Sequence, residues 1–162
     1  MSGDGVVSVW RIASDTPNYT ADDMKGEGAR ITGGRWNRPG SAVVYSARSI
    51  ALACLESVVH LELGSLPLNR YLVQIDIPAS IWQRRTVFDA ARHVGWDASP
   101  AGKVSLDAGE KWLAQKKTAL MQVPSVIVPE EMNILINPTH QDSRKLSVAK
   151  LRKWTFDGRL TR

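Results

Sequence analysis

Cys54 is the only cysteine in 162 residues, so no disulfide forms within the chain. It lies among apolar residues in a helical pattern and reads as core rather than as a nucleophile. No apolar run approaches the roughly 20 residues of a membrane-spanning helix. The first five residues are polar and glycine-rich, without the basic-then-apolar pattern of a secretory signal. Asn18-Tyr19-Thr20 matches a glycosylation sequon, but without a signal the match is a coincidence. Together these absences predict a cytoplasmic protein. Internal repeats and low-complexity linkers are also missing.

Several chemistries lack their residues. His60, His93 and His140 show no metal-ligand spacing, and neither a Cys-x-x-Cys nor a His-Glu-x-x-His occurs. Gly26-Glu27-Gly28 is followed by Ala29, Arg30 and Ile31, so a dinucleotide fingerprint fails at its third glycine. There is no phosphate-loop sequence. Ser125 stands in Val-Pro-Ser-Val-Ile-Val-Pro, which is not the Gly-x-Ser-x-Gly elbow of a serine hydrolase. A metal centre, a Rossmann dehydrogenase and a P-loop enzyme are disfavoured.

What remains is an ordinary globular composition, 43% hydrophobic and 23% charged, on a length that suits one domain spanning residues 1–162. The net charge is +5. Much of that excess is C-terminal: Arg144, Lys145, Lys150, Arg152, Lys153, Arg159 and Arg162. It suits an anionic ligand, nucleic acid or an acidic protein partner, and equally a basic surface that aids solubility. Patterning predicts strands over 6–12, 42–45, 71–77, 120–123, 126–128, 134–136 and 151–156. It predicts a helix from an N-cap at Ser49 to about Leu63 with Gly64 as C-cap, and another over 105–117 with Leu106, Trp112 and Leu113 on its apolar side. Residues 18–28 read as loop with a short helical turn, Gly33-Gly34 as a tight turn, and 86–100 gives no clear pattern. The sum is a mixed α+β domain.

Four residues could carry chemistry. Arg35 follows two glycines; its planar fork matches phosphate oxygens, although it could also stack on Trp36 at the surface. Tyr45 ends an apolar run, where a ring can stack on a ligand with its hydroxyl turned outward, or simply be half-buried core. Glu56 has Leu52, Ala53, Val59 and His60 as its helical neighbours, a costly setting for an unpaired carboxylate. It is either a salt-bridge member, perhaps with Arg35, or an acid that stabilises a developing cation. Ser125, at a break in a β-rich run, either faces a cleft or closes a turn. Arg11, after Trp10, is a weaker phosphate ligand. An arginine, a ring and a carboxylate suit a phosphate-bearing substrate that forms a cation, and NAD+ is such a molecule.

These residues together resemble the RES domain family. Arg35, Glu56 and Ser125 match its arginine, glutamate and serine, and Tyr45 matches a further active-site position. The resemblance extends through Trp10-Arg11, Gly-Gly-Arg-Trp-Asn, Val-Val-Tyr-Ser-Ala, Ala-x-x-Glu, Val-Pro-Ser, Asn137-Pro138-Thr139-His140 and Phe156-Asp157-Gly158-Arg159-Leu160. One departure is Gln141, where the family has proline. The resemblance implies an ADP-ribosyltransferase-like fold and the toxin half of a bacterial type II toxin–antitoxin module. The implied partner is an Xre-type antitoxin with a helix-turn-helix, whose C-terminal segment blocks the active site, and the toxin forms a homodimer. The implied activity is NAD+ breakdown by water or phosphate, or ADP-ribosylation of a protein. NAD+ is then a consumed substrate, with no metal and no permanent cofactor. On this reading Arg35 holds phosphate, Tyr45 stacks near nicotinamide, Glu56 stabilises the ribosyl cation and Ser125 bonds the ribose or amide. Arg11 and His140 are supplementary NAD+ contacts.

Two rivals belong to other classes. Six tryptophans and the positive charge allow a nucleic-acid-binding module or toxin ribonuclease. A non-catalytic interaction protein is the other, against which the four intact residues argue.

Overall fold

The computed structural model describes residues 5–62 and 64–161. Seven strands form one sheet: β1 (Val6–Ser14), β2 (Val44–Ala47), β3 (Arg70–Pro78), β4 (Thr86–Val87), β5 (Leu120–Pro124), β6 (Met132–Ile136) and β7 (Ser147–Lys153). Their order is β4-β5-β6-β2-β1-β3-β7, antiparallel except for the β4–β5 pair. Four α-helices accompany them: α1 (Glu27–Thr32), α2 (Ile50–Val58), α3 (Ala79–Gln83) and α4 (Lys103–Gln115). The mixed α/β expectation holds. No helix among the described residues is long and apolar enough to cross a membrane.

β3 alternates as a half-buried strand does, whereas β2, β5 and β6 are buried on consecutive residues, with a core on each face. Val73, Ile75 and Ile77 of β3 pack with Val9, Val44, Leu120, Ile134 and Ile136 in one core. A second core is aromatic and lies beneath α4: Trp36, Phe88, Trp96 and Trp112 with Met121, Val123 and Leu135. Trp36 meets Phe88 edge-on at 4.7 Å and stacks near Trp96 at 6.3 Å. Trp36, Trp96 and Trp112 are buried in this core, and Trp10, Trp82 and Trp154 are half-buried.

β1 follows β3 in register along its whole length, but it shares only the Trp10–Ala47 pair with β2. Beyond that pair the two strands separate, and their parting opens a cleft between Arg11–Ser14 and Tyr45–Ala47. α2 closes one side. Ser49 caps it through the Leu52 amide at 3.1 Å, as expected. Leu52 and Ala53 bury against Ala47, with Trp10, Ile12 and Val128 around them. Glu56, one turn beyond, is thereby directed to the cleft.

Several boundaries differ from expectation. α2 ends at Val58, so Gly64 is not its C-cap; the Gly64 amide instead donates to the Thr161 carbonyl at 3.2 Å. Leu63 lies outside the described residues, as does Arg162. Residues 126–128 form no strand, because the turn there folds around the Ser125 hydroxyl. The last strand is Ser147–Lys153 rather than 151–156, and it is exposed throughout at the sheet edge. α4 buries Ser105, Gly109, Trp112 and Leu113, with Leu106 only half-buried. A Cβ at Gly109 would lie 1.8 Å from the Trp36 carbonyl oxygen, so α4 sits directly on the backbone of the Arg35 loop.

Candidate active site

The cleft measures about 970 Å³ and is lined by residues of β1, α1, the Gly33–Trp36 loop, β2, α2 and residues 99–101. That volume is of the size that ligand pockets commonly have. Arg11, Arg35, Tyr45 and Glu56 all line it. Ser125 stands behind Glu56, and His140 lies outside the cleft lining.

Glu56 is the centre of the arrangement. Its Oε1 accepts two hydrogen bonds, from the Ser125 hydroxyl and from Asn133 Nδ2, each at 2.7 Å. Oε2 accepts none among the described residues. Among the described residues Glu56 forms no salt bridge, so of the two alternatives the pairing with Arg35 is not formed. One oxygen is fixed by the protein, the other is left without a donor among the described residues, and Glu56 lines the cleft, an arrangement that suits a carboxylate offered to a ligand.

Ser125 is not part of the cleft lining. It is 0% exposed, donates to Glu56 and accepts from the Ile127 and Val128 amides at 3.1 Å each. The proline-flanked break of the β-run thus makes a small turn that orients one hydroxyl at the carboxylate. In this structure the hydroxyl expected at the ribose or amide is engaged with Glu56.

Tyr45 likewise differs from expectation. Its hydroxyl points into the Arg35 loop, donating to Asn37 Oδ1 at 2.6 Å and accepting from the Trp36 amide at 3.0 Å. Burial pushes the phenol well above its ordinary value, so it stays protonated at all working pH. A Cβ at Gly34 would approach that hydroxyl to 2.7 Å, so the second glycine of Gly33-Gly34 makes room for it. The ring contributes a wall of the cleft, while its oxygen pins the loop. Asn37, 1% exposed, carries the other side: its Nδ2 donates to the carbonyls of Ala29 and Ser41 at 2.9 Å.

Arg35 emerges from this pinned loop. Nη1 donates to the Ala98 carbonyl at 2.7 Å and the Trp96 carbonyl at 3.2 Å, and the other guanidinium nitrogens make no hydrogen bond among the described residues. It does not stack on Trp36; the aromatic core instead supports the 96–98 backbone that holds it. Arg11 crosses the cleft floor from β1. Burial lowers its pKa, and nearby Asp23 and Tyr19 partly offset this. Its guanidinium makes no hydrogen bond or ion pair among the described residues, which leaves a cation inside the cleft to be met by an anion.

His140 is a correction. Its Nδ1 accepts the Asp142 amide at 3.0 Å and caps the short 3₁₀ turn Gln141–Lys145. It is therefore held in a turn outside the cleft lining rather than among the residues expected to meet NAD+. Asn133 is the residue that sequence reasoning missed. The one available signal was a polar side chain inside the apolar run Met-Asn-Ile-Leu-Ile. Among the described residues no group of three metal-ligating side chains occurs.

Comparison with known proteins gives the family and the fold. Residues 8–158 match the RES domain family. A protein of Sphingobium sp. (strain YBL2), described as "Prs ADP-ribosylating toxin", is 55% identical over 96% of this chain and 97% of its own. "Toxin Res" of Yersinia enterocolitica is 36% identical over 88% of this chain and 93% of that one. The solved M. tuberculosis MbcT–MbcA toxin–antitoxin complex contains a chain of the same fold, with TM-score 0.64 at 18% identity, covering 98% of this chain and 90% of that one. The mixed α/β fold expected from the sequence is thus shared with a chain of that complex. With the family matched across nearly the whole length and the relatives themselves toxins, this chain belongs to the RES domain family of toxins.

Proposed function

We propose that this toxin cleaves NAD+ at the nicotinamide–ribose bond and passes the ADP-ribose to a side chain of a protein. The observation that carries the reading is Glu56, with Oε1 anchored and Oε2 open, in one cleft with the two guanidinium groups of Arg11 and Arg35. The two cations suit the pyrophosphate, and the Tyr45 ring suits an apolar wall beside nicotinamide. As the C1′–N bond breaks, nicotinamide leaves with the electron pair and positive charge builds on the ribose. Glu56 Oε2 stabilises that charge. A nucleophile then bonds to C1′ and gives up its proton to the carboxylate or to solvent. NAD+ is consumed, so no metal or permanent cofactor enters.

The relative named for ADP-ribosylating Prs supports a protein acceptor, and Prs of the host is the first to test. Water or phosphate as acceptor is the second reading; it uses the same residues and depletes NAD+ directly. The neighbour solved as a toxin–antitoxin complex supports an antitoxin partner. We take that partner to be of the Xre type, and the toxin to act as a homodimer in the cytoplasm.

The test is incubation with NAD+ labelled on its adenylate phosphate, with purified Prs and with lysate. Label on Prs is the expected result. Nicotinamide release with no labelled protein would move the assignment to water or phosphate. No nicotinamide release would end the proposal.

A further inference from the structure

Glu56 receives two hydrogen bonds, and only one comes from a residue that the family resemblance names. The other comes from Asn133 of β6, whose backbone lies opposite Ala47 on one side and Val123 on the other. Asn133 is thus held by the middle of the sheet, a rigid place from which to aim an amide. Its Nδ2 lies 2.7 Å from Glu56 Oε1. Its Oδ1 is buried and has no donor among the described residues. Buried amides ordinarily satisfy both ends. Turning this one over would set its carbonyl oxygen against a carboxylate oxygen, two acceptors with no proton between them. The side chain keeps the orientation that serves Glu56 and leaves its own oxygen unmatched.

We propose that Asn133 is a positioning residue for the reaction. Its N–H and the Ser125 hydroxyl converge on Oε1 from two elements, fix the carboxylate plane and leave Oε2 directed at the ribose. This rests on the reading that Glu56 acts on NAD+. An interaction used mainly as charge develops acts on kcat more than on KM. The arginines and Tyr45, which would hold the ground-state dinucleotide, are untouched by a change at Asn133.

Two sets of variants test it. Asn133→Ala should lower kcat for nicotinamide release about tenfold while KM for NAD+ stays within about twofold. In a Glu56→Gln background the same change should cost nothing further, because its route to the reaction is already gone. A rise in KM at unchanged kcat, or an equal loss in both backgrounds, overturns the proposal. The contact is also read without activity. Asn133→Asp sets two carboxylates together and should lower the melting temperature. Adding Glu56→Gln restores a donor–acceptor pair of reversed polarity and should recover it, with nicotinamide release still lost. Failure to recover overturns the contact itself. A wild-type protein that releases no nicotinamide overturns the NAD+ reading instead, and the melting pair then still decides whether Asn133 holds Glu56.

Discussion

Replacing Tyr45 with Phe removes one oxygen that serves two partners, the Trp36 amide and Asn37 Oδ1. Buried polar groups left unmatched in this way cost about 1–3 kcal/mol. Arg35 immediately precedes the two loop residues bonded to that hydroxyl, so a looser loop should also blur its position. Tyr45→Phe is expected to unfold at lower denaturant and to raise KM for NAD+ more than it lowers kcat. Denaturation curves and steady-state kinetics check both. A kcat loss at unchanged KM would mean that the hydroxyl takes part in the chemistry itself. This is also where the sequence was only half legible. The residue types of the site could be read, because Arg35, Tyr45 and Glu56 all line the cleft. Their partners could not. Whether a tyrosine hydroxyl turns outward or back into a glycine loop depends on contacts eight or nine residues away. Whether Glu56 meets Arg35 or Ser125 and Asn133 depends on contacts between β-rich segments and a helix about 70 residues earlier.

At the scale of elements, short turns carry more of the fixing than the strand pattern suggests. The 3₁₀ turn Gln141–Lys145 is tied to the end of α3 by Arg84, which bonds Asp142 at 2.8 Å, and Lys145 adds a second contact at 3.2 Å. The Arg84 hydrogen bond, then Lys145, holds the Asp142 carboxyl below its ordinary value. A carboxyl with a lowered folded-state pKa stabilises the fold above its unfolded value of about 4. That contribution is lost as the pH falls through the lower folded value. Asp142→Asn should therefore be less stable than wild type at neutral pH, by no more than about 1 kcal/mol because Arg84 and Lys145 are largely exposed. The difference should close below about pH 4. Urea midpoints of both proteins from neutral to acid pH check the sign; a gap that widens in acid contradicts it. Element boundaries follow the same logic. The Ser49 cap was legible because a capping serine acts locally. The end of α2 was not, because Gly64 finds its partner at Thr161, almost a hundred residues away.

At the scale of the molecule, the sheet itself creates the site. β1 stays paired with β3 and abandons β2 after one residue pair, and the gap becomes the cleft. Alternation in β3 and the apolar runs of β5 and β6 were visible in the sequence, but a failure of two strands to pair has no local signature. The exposed edge strand β7 carries Lys150, Arg152 and Lys153 and a register shift opposite Leu72 and Val73, features that discourage edge-to-edge association. Lys150 is further engaged by Asp15 at 2.6 Å and by the Tyr71 ring. Part of the basic excess is therefore spent on the fold's own surface rather than offered to a partner.

If Glu56 Oε2 acts on the ribose of NAD+ inside this cleft, as proposed, its charge is required for nicotinamide release. Nicotinamide release from NAD+ by the purified wild-type protein, beside Glu56→Gln of the same fold stability, measures that directly. The expected result is release by wild type and a loss of a hundredfold or more, roughly 3 kcal/mol, in the variant. Equal release by both proteins, or none by wild type, would contradict it.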